Sequence, residues 1–288
     1  MSTLKSLIHS IVEHLVSNDC IWKPISRTVI RGSQFLCALR DQQEVKRTVA
    51  NHAPLENALR QRLILAGPFK GMKYGNTKAL CSALYPKLLG TYEHELAAAL
   101  DAALARNHSL IVDVGAADGY YAVGFACRNP NARVIAYDQD PRARAELAKL
   151  AELNGVANRI EIRGRCEPAE LANLKEPGGL MIVDCEGFEE FALSPENIAA
   201  LSGWDFIIET HDGFVPGITQ KLIERFASTH HVEVIEAVHD FDKADHVRVP
   251  LLDGLPRREA DKVLAEGREH ACLRWLVCRS NQTASLEL

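Results

Sequence analysis

Acidic residues and a histidine follow two apolar runs that lie one strand-helix-strand step apart in the sequence. Asp184 closes the run GLMIVD and Glu186 follows it, whereas His211 and Asp212 follow the run DFIIET, with Asp212 28 residues after Asp184. Carboxylates and an imidazole at two neighbouring strand ends can bind Mg²⁺ or Mn²⁺, and such an ion lowers the pKa of a bound hydroxyl group. We therefore predict a metal site made of Asp184, His211 and Asp212.

Two other interpretations of these residues stay open. Without a metal, His211 would be a general base, because an imidazole has an ordinary pKa of about 6.5 and can accept a proton from a hydroxyl group. Asp184 and Glu186 would then complete the catalytic group. Alternatively, Glu186, Glu189 and Glu190 only begin a helix, where acidic side chains interact favourably with the helix dipole.

A second candidate site is the turn in the stretch IVDVGAADGYYAVG. Gly115, Ala117 and Gly119 follow Asp113 at every second residue, so the backbone can turn tightly into a helix and a ligand can approach it closely. A dinucleotide-binding turn would have the spacing GxGxxG and would face a phosphate. The acids before and inside this turn, Asp113 and Asp118, instead favour a cationic or hydroxyl-rich ligand.

Asp138 strengthens this prediction, because it closes the run ARVIAYD 25 residues after Asp113. The carboxyl end of the next strand would lie there. A carboxylate at that place can accept hydrogen bonds from both hydroxyl groups of a ribose. The turn and Asp138 together predict a ligand that carries a nucleoside.

Apolar runs alternate with helical stretches after residue 107, and this alternation must position the candidate residues. It predicts right-handed crossovers and a parallel sheet that is covered by helices on both faces. In such sheets, ligands bind at the carboxyl ends of the strands, beside the point where the strand order reverses. We expect the catalytic domain to span residues 107–288.

Residues 1–106 form a different region. Apolar positions recur every three or four residues from residue 4 onward, and helical stretches follow around residues 31–49 and 55–65. Glycines flank short extended pieces over residues 67–75, which predicts a hairpin or clasp. Thr91 can cap an amphipathic helix over residues 92–105 that leads into the first strand.

The composition is typical of a globular protein: 47% of the 288 residues are hydrophobic and 25% are charged. Neither a membrane-spanning run nor the apolar core of a signal peptide is found, so we expect a cytoplasmic protein without membrane contact. The eight cysteines form no CxxC pair, which argues against a zinc site or a disulfide scaffold. A homo-oligomer remains open.

The net charge of −5 is unevenly distributed, with +6 over residues 1–75 and −11 over the remainder. The basic segment either packs against the acidic domain or binds an anionic partner. We do not expect a nucleic acid as the substrate, because the catalytic region is acidic and no nucleic-acid-binding module is recognisable.

Four stretches, DVGAADGYYAVG, VIAYDQDP, AELAKLAELNGVANRIEI and IVDCEGFEEFAL, resemble class I S-adenosylmethionine-dependent methyltransferases. The element DCEGFE specifically resembles the FkbM-type O-methyltransferases. The resemblance covers residues 109–236, and it implies a Rossmann-like, seven-stranded, mostly parallel sheet whose last strand, residues 272–279, is antiparallel. Two positions depart from the pattern: Ala117 replaces a glycine, and YDQD replaces the Glu-Pro pair common in FkbM-type sequences.

The resemblance also implies roles for individual residues. Asp113, Gly115 and Gly119 would hold the methionine moiety of S-adenosylmethionine, and Asp138 would bind its ribose. Gly164 and Cys166 would face the adenine. The predicted cofactor site further includes Ala117, Asp118 and Asp184.

The implied reaction is the methylation of a hydroxyl group on a small molecule, a sugar or glycan, or a natural product. We expect residues 240–271, between the last two strands, and the clasp at residues 67–75 to determine which acceptor binds. Two alternatives remain: a protein or peptide methyltransferase, and a non-catalytic cofactor-binding protein with the same fold.

Overall fold

The computed structural model describes residues 19–80, 82–267 and 273–284. The chain divides into two compact units between Ala53 and Pro54. The described part of the first unit is helix α1 (Asp19–Asn51) and the two residues after it, and α1 includes the helical stretch predicted around residues 31–49. The helical start predicted from residue 4 lies outside the described residues.

The second unit is built on a seven-stranded sheet in the order β3-β2-β1-β4-β5-β7-β6. Strands β1 to β5 are parallel where they pair, and β7 is antiparallel to both β5 and β6. This confirms the predicted seven-stranded, mostly parallel sheet with an antiparallel last strand. The strands are β1 (Leu110–Val114), β2 (Arg133–Tyr137), β3 (Ile160–Arg163), β4 (Leu180–Val183), β5 (Asp205–His211), β6 (His230–Glu236) and β7 (Leu273–Ser280).

Helices precede the sheet, connect its strands and follow its last strand. Short 3₁₀ turns lie at His94–Leu96, Ala157–Arg159 and Pro250–Leu252. The α-helices are α2 (Ala53–Leu59), α3 (Leu84–Leu89), α4 (Ala97–Ala105), α5 (Tyr120–Arg128), α6 (Pro141–Leu153), α7 (Pro168–Ala172), α8 (Glu189–Ala192), α9 (Pro195–Ala200), α10 (Ile218–Phe226), α11 (Lys243–His246), α12 (Arg257–Leu264) and α13 (Asn281–Ala284).

The middle of the sheet is apolar on both faces. Every residue of β1, β4 and β5 is buried, which is why these strands read as nearly continuous hydrophobic runs. Trp204 and Trp275 are among the largest fully buried side chains. This core fixes the strand ends, where the polar candidate residues lie.

The predicted clasp folds back on itself. Leu63 pairs with Lys73 in an antiparallel bridge, and the amide of Ile64 donates to the carbonyl of Met72 at 2.9 Å. At its turn, Phe69 is buried against helix α5, where a side chain on Gly124 would lie 2.6 Å from the Phe69 ring. The clasp therefore packs on the helix that follows β1.

The helix predicted over residues 92–105 begins later than expected. Glu93 has a φ of +48°, in the left-handed region, so the chain cannot be helical there. A 3₁₀ turn follows, and the α-helix covers only Ala97–Ala105. Thr91 does not cap a helix in this arrangement, and its hydroxyl donates to the carbonyl of Pro86.

The compact unit that contains the sheet begins before residue 107, the expected start of the catalytic domain. Residues 54–106 belong to the same unit as the sheet.

Among the described residues, no helix combines the length and the apolar character needed to cross a membrane.

Candidate functional site

The turn after β1 is held by close backbone packing. Gly115 and Gly119 have φ values of +91° and +90°, in the region that favours glycine. A Cβ atom at Gly115 would overlap the carbonyl oxygen of Asp184, and one at Gly119 would lie 2.6 Å from the side chain of Leu147. Both glycines are thus required by contacts within the protein, in addition to any ligand.

Asp138 ties this turn to the end of β2. Its Oδ2 accepts a hydrogen bond from the amide of Ala117 at 2.8 Å, and its Oδ1 accepts one from the amide of Asp140 at 2.8 Å. The side chain is only partly buried. Since a carboxylate has about four acceptor sites, Asp138 keeps the capacity that the predicted hydrogen bonds from ribose hydroxyl groups require.

Asp113 is a buried carboxylate at the end of β1. Its Oδ2 atom accepts no hydrogen bond from the described residues. Burial raises the pKa of Asp113 to about 7, and the negative charges of Asp184 and Asp138 contribute further to this rise. A cationic ligand group would offset the cost of burying the negative charge and would supply a hydrogen-bond donor to Oδ2.

Asp118 does not have the ligand-facing role expected from the sequence. Its side chain is completely buried, and both of its oxygens are bonded within the protein. Lys87 Nζ donates to Oδ1 at 2.8 Å, and the Tyr74 hydroxyl donates to Oδ2. Asp118 therefore anchors the turn to the preceding region of the chain.

The two residues expected to face an adenine differ in their surroundings. Gly164 is exposed, and a Cβ atom added to it would contact nothing within 4 Å. The Cys166 side chain is buried in the main hydrophobic core, and this burial raises the pKa of its thiol to about 12. The thiol is thus a packing group, whereas the backbone around Gly164 is open to a ligand.

Asp184, Glu186 and His211 come together at the ends of β4 and β5. One ligand atom from each lies within 4.8 Å of the others, an arrangement that could hold a metal ion. His211 Nε2 is 3.5 Å from both Asp184 Oδ1 and Glu186 Oε2. The structure thus unites the three residues that were predicted to be catalytic.

Asp212, the third predicted metal ligand, is not part of this group. Its carboxylate accepts hydrogen bonds from the amide of Gly217, at 3.0 Å, and from the hydroxyl of Thr219. Arg274 Nη1 lies 3.6 Å away. Asp212 therefore stabilises the start of α10, and Glu186 takes its place among the possible ligands.

Glu189 orients His211 through Nδ1, the ring nitrogen that does not face Asp184 and Glu186. Its Oε1 lies 2.8 Å from His211 Nδ1 and accepts hydrogen bonds from the amides of Cys185 and Gly187, each at 3.2 Å. The Glu189 side chain is fully buried. Glu189 is also the first residue of α8, as one interpretation of the sequence predicted, but its contact with His211 was not predicted.

The charges around His211 are predominantly negative. Burial alone would lower the pKa of His211, but the hydrogen bond to Glu189 and the charges of Asp184, Glu189 and Glu186 raise it above its ordinary value. Burial raises the pKa of Asp184 to about 6, and the charge of Glu93 contributes to this rise. The cluster therefore favours a cation, either a proton on His211 or a metal ion.

Two further acids belong to this region. Glu209 Oε2 lies 3.7 Å from His211 Nε2, because residues 209 and 211 share one face of β5. Glu93 is buried, and its carboxylate accepts a hydrogen bond from Tyr121, the second residue of α5. The left-handed backbone of Glu93 gave no signal in the sequence.

Solved structures that are similar to this chain at low sequence identity include the following three proteins. A Klebsiella pneumoniae protein, provisionally described as an O-methyltransferase, is 14% identical, with a TM-score of 0.46, over 82% of this chain and 89% of its own. The O-methyltransferase TomG of Streptomyces achromogenes, involved in tomaymycin synthesis and solved with S-adenosylmethionine, is 15% identical, with a TM-score of 0.44, over 67% and 83%. A Bacillus cereus O-methyltransferase in complex with SAH is 13% identical, with a TM-score of 0.41, over 62% and 77%. No protein-family model matches the chain, and no curated protein matches it.

Proposed function

We propose that this protein is an S-adenosylmethionine-dependent methyltransferase. The observation that carries the proposal is the arrangement at the carboxyl ends of β1 and β2, beside the point where the strand order reverses between β1 and β4. There, Asp138 accepts a hydrogen bond from the amide of Ala117 and keeps acceptor capacity, while Asp113 Oδ2 is buried and has no hydrogen-bond partner in the part of the chain that the structure describes. These carboxylates suit a ligand that carries both a ribose and a cationic group.

The two carboxylates beside the turn fit the cofactor in different ways. Asp138 would accept hydrogen bonds from the ribose hydroxyl groups, and Asp113 would compensate positive charge on the methionine moiety. When bound, S-adenosylmethionine supplies a methyl group activated on a sulfonium ion. The chain itself must then align the acceptor hydroxyl and remove its proton.

A divalent metal ion held by Asp184, Glu186 and His211 is the preferred means of activating that hydroxyl. Oxygen ligands suit Mg²⁺ or Mn²⁺, and the imidazole favours Mn²⁺ of the two. The Glu189–His211 hydrogen bond resembles the carboxylate–histidine pairs that orient metal ligands. The ion would lower the pKa of the acceptor hydroxyl.

The metal-free alternative makes His211 the general base. The acids around His211 raise its pKa, so the imidazole must lose a proton before it can accept one from the acceptor. This arrangement favours activity at higher pH than an isolated histidine would. Turnover that is unaffected by EDTA, together with a loss of about 10²–10⁴-fold in the variant His211→Ala, would assign the base role to His211.

The proposed acceptor is a hydroxyl group on a small molecule, sugar or natural product, in the manner of the FkbM-type enzymes that the DCEGFE element resembles. Residues 240–271, whose described part carries α11 and α12 between β6 and β7, are the proposed source of acceptor specificity, together with residues 67–75. Acceptors of defined structure, including monosaccharides, glycans and phenols, can be compared directly by transfer of a labelled methyl group. Labelling of a peptide pool alone would favour a protein methyltransferase.

Cofactor binding is the first test of this function. S-adenosylmethionine or its demethylated product, S-adenosylhomocysteine, should bind in the micromolar range, and Asp138→Ala should weaken binding by about 1–3 kcal/mol through lost hydrogen bonds to a charged group. Calorimetry measures both values. Asp140→Ala is the matched control, because Asp140 lies two residues away and caps α6.

Binding of NADH instead of S-adenosylmethionine would refute the proposed cofactor. Equal affinity of Asp138→Ala and the wild type for S-adenosylhomocysteine would remove Asp138 from the site.

A further inference from the structure

The carboxylate of Asp118, inside the turn after β1, is bonded on both oxygens by side chains that precede the sheet in sequence. Lys87, on α3, donates from Nζ to Oδ1 at 2.8 Å, and Tyr74, in the clasp, donates its hydroxyl to Oδ2. The Lys87 and Asp118 side chains are 2% and 0% exposed. Two elements from outside the strand-helix alternation thus meet on one residue of the turn.

The ammonium group of Lys87 is held in a defined place. Its Nζ also donates to Ser82 Oγ at 2.7 Å. The ring centroids of Tyr74, Tyr92 and Tyr120 lie 5.9, 4.9 and 5.0 Å from Nζ. Aromatic faces attract a cation that has lost its water, so the three rings hold the buried ammonium group of Lys87 in place.

The turn itself needs such support. Asp118 lies between Ala117 and Gly119, whose φ values of +45° and +90° are both in the left-handed region. An alanine in that region is strained, and it persists only where the surroundings hold it. Asp138 restrains the Ala117 amide on one side, and the Tyr74 and Lys87 bonds restrain Asp118 on the other.

We propose that Tyr74 and Lys87 are positioning residues that hold residues 115–119 in the conformation that binds the cofactor. They act through Asp118, without touching the ligand themselves. The identity of the ligand rests on the proposed function, whereas the restraint of the turn does not. A buried ion pair adds little net stability compared with apolar packing, but it can select one geometry, and selection of the turn geometry is the role assigned here.

Tyr74→Phe is the first test, because it removes one bond to Asp118 and keeps both the ring and the ion pair. We expect the Kd for S-adenosylhomocysteine to rise by up to roughly 10- to 150-fold, as for the loss of a hydrogen bond to a charged group. In the ligand-free protein, amide hydrogen exchange at residues 115–119 should accelerate by a similar factor, and by more than exchange in β5. Lys73→Met, an exposed lysine of the same clasp, is the matched control.

The ion pair is tested with a paired variant. Lys87→Met alone leaves a buried carboxylate without its counter-charge, so it is combined with Asp118→Asn, which makes the pair neutral. This double variant should fold, exchange faster at residues 115–119 and bind S-adenosylhomocysteine more weakly than the wild type.

Unchanged exchange at residues 115–119 and unchanged Kd in both Tyr74→Phe and the double variant would overturn the proposal. If the wild type does not bind S-adenosylhomocysteine, the proposed function fails, and the exchange rates of the ligand-free variants still decide whether Tyr74 and Lys87 restrain the turn.

Discussion

The substitution Glu189→Gln tests whether the cluster at the ends of β4 and β5 is a metal site. Glutamine has nearly the same shape, and its amide oxygen can still accept hydrogen bonds from the amides of Cys185 and Gly187. What disappears is the negative charge 2.8 Å from His211 Nδ1. The change is therefore confined to the electrostatics behind the histidine.

The size of the effect follows from that one interaction. A hydrogen bond to a charged group contributes about 1.5–3 kcal/mol, against about 0.5–1.5 kcal/mol for a neutral pair, so the substitution should cost about 1–1.5 kcal/mol. This corresponds to a rise of roughly 5- to 12-fold in the Kd for Mn²⁺. Loss of outer-shell carboxylates typically weakens metal binding by about 10- to 100-fold, so we expect a value near the lower end of that range.

Calorimetric titration with Mn²⁺ measures the change, and Glu190→Gln is the control. Glu190 is the next residue, but it forms an ion pair with Lys221 and does not contact His211. Histidine NMR supplies a second readout, because the pKa of His211 should fall when the charge of Glu189 is lost. Equal Mn²⁺ affinity in the wild type and Glu189→Gln would refute the reasoning, and so would an equal loss in Glu190→Gln.

Three other predictions concern pH and specificity. Asp113 must be ionised to bind a cation. The affinity for S-adenosylmethionine should therefore be highest above the Asp113 pKa of about 7, and it should fall by up to about tenfold per pH unit below that value. In calorimetry, the variant Asp113→Asn should not show this pH dependence. Burial lowers the pKa of His230 in the folded protein. The neutral imidazole therefore contributes to the free energy of unfolding above about pH 6.5, and this contribution is lost as the pH falls toward the pKa of His230 in the folded state. The free energy of unfolding of His230→Gln, measured with urea, should depend less on pH in that range. Replacement of residues 240–271 by the corresponding segment of another methyltransferase should alter the choice of acceptor in labelled-methyl assays, while the affinity for S-adenosylhomocysteine stays constant. Equal effects on acceptor choice and on this affinity would contradict the prediction.

The sheet could be predicted because its strands are short apolar runs bounded by turn residues, and each crossover carries a helical pattern. The same regularity predicted that Asp184 and His211 meet, since β4 and β5 are neighbours and Val183 pairs with Ile208. Asp212 shows the limit of that reasoning. Side chains alternate along a strand, so Glu209 and His211 share a face, and Asp212, just beyond the strand, bonds at the start of α10 instead.

Contacts between distant segments could not be predicted from the sequence. Lys87 reads as an ordinary surface lysine of a short helix, and its burial depends on tyrosines from three separate places. Glu93 lies in a stretch with helical periodicity, and only its positive φ breaks the helix. Neither local propensity nor spacing contains that information, because both effects arise from tertiary packing.

The contact between Gly115 and Asp184 limits how this protein can be redesigned. The amide of Asp184 donates to the carbonyl of Val114 at 2.9 Å, and there is no space between Gly115 and the Asp184 carbonyl for even a methyl group. The turn after β1 and Asp184, the first residue of the acidic cluster, therefore cannot change conformation independently. Directed evolution toward new acceptors should leave both segments untouched and diversify the exposed periphery, such as Phe214, whose ring lies 5.8 Å from that of His211.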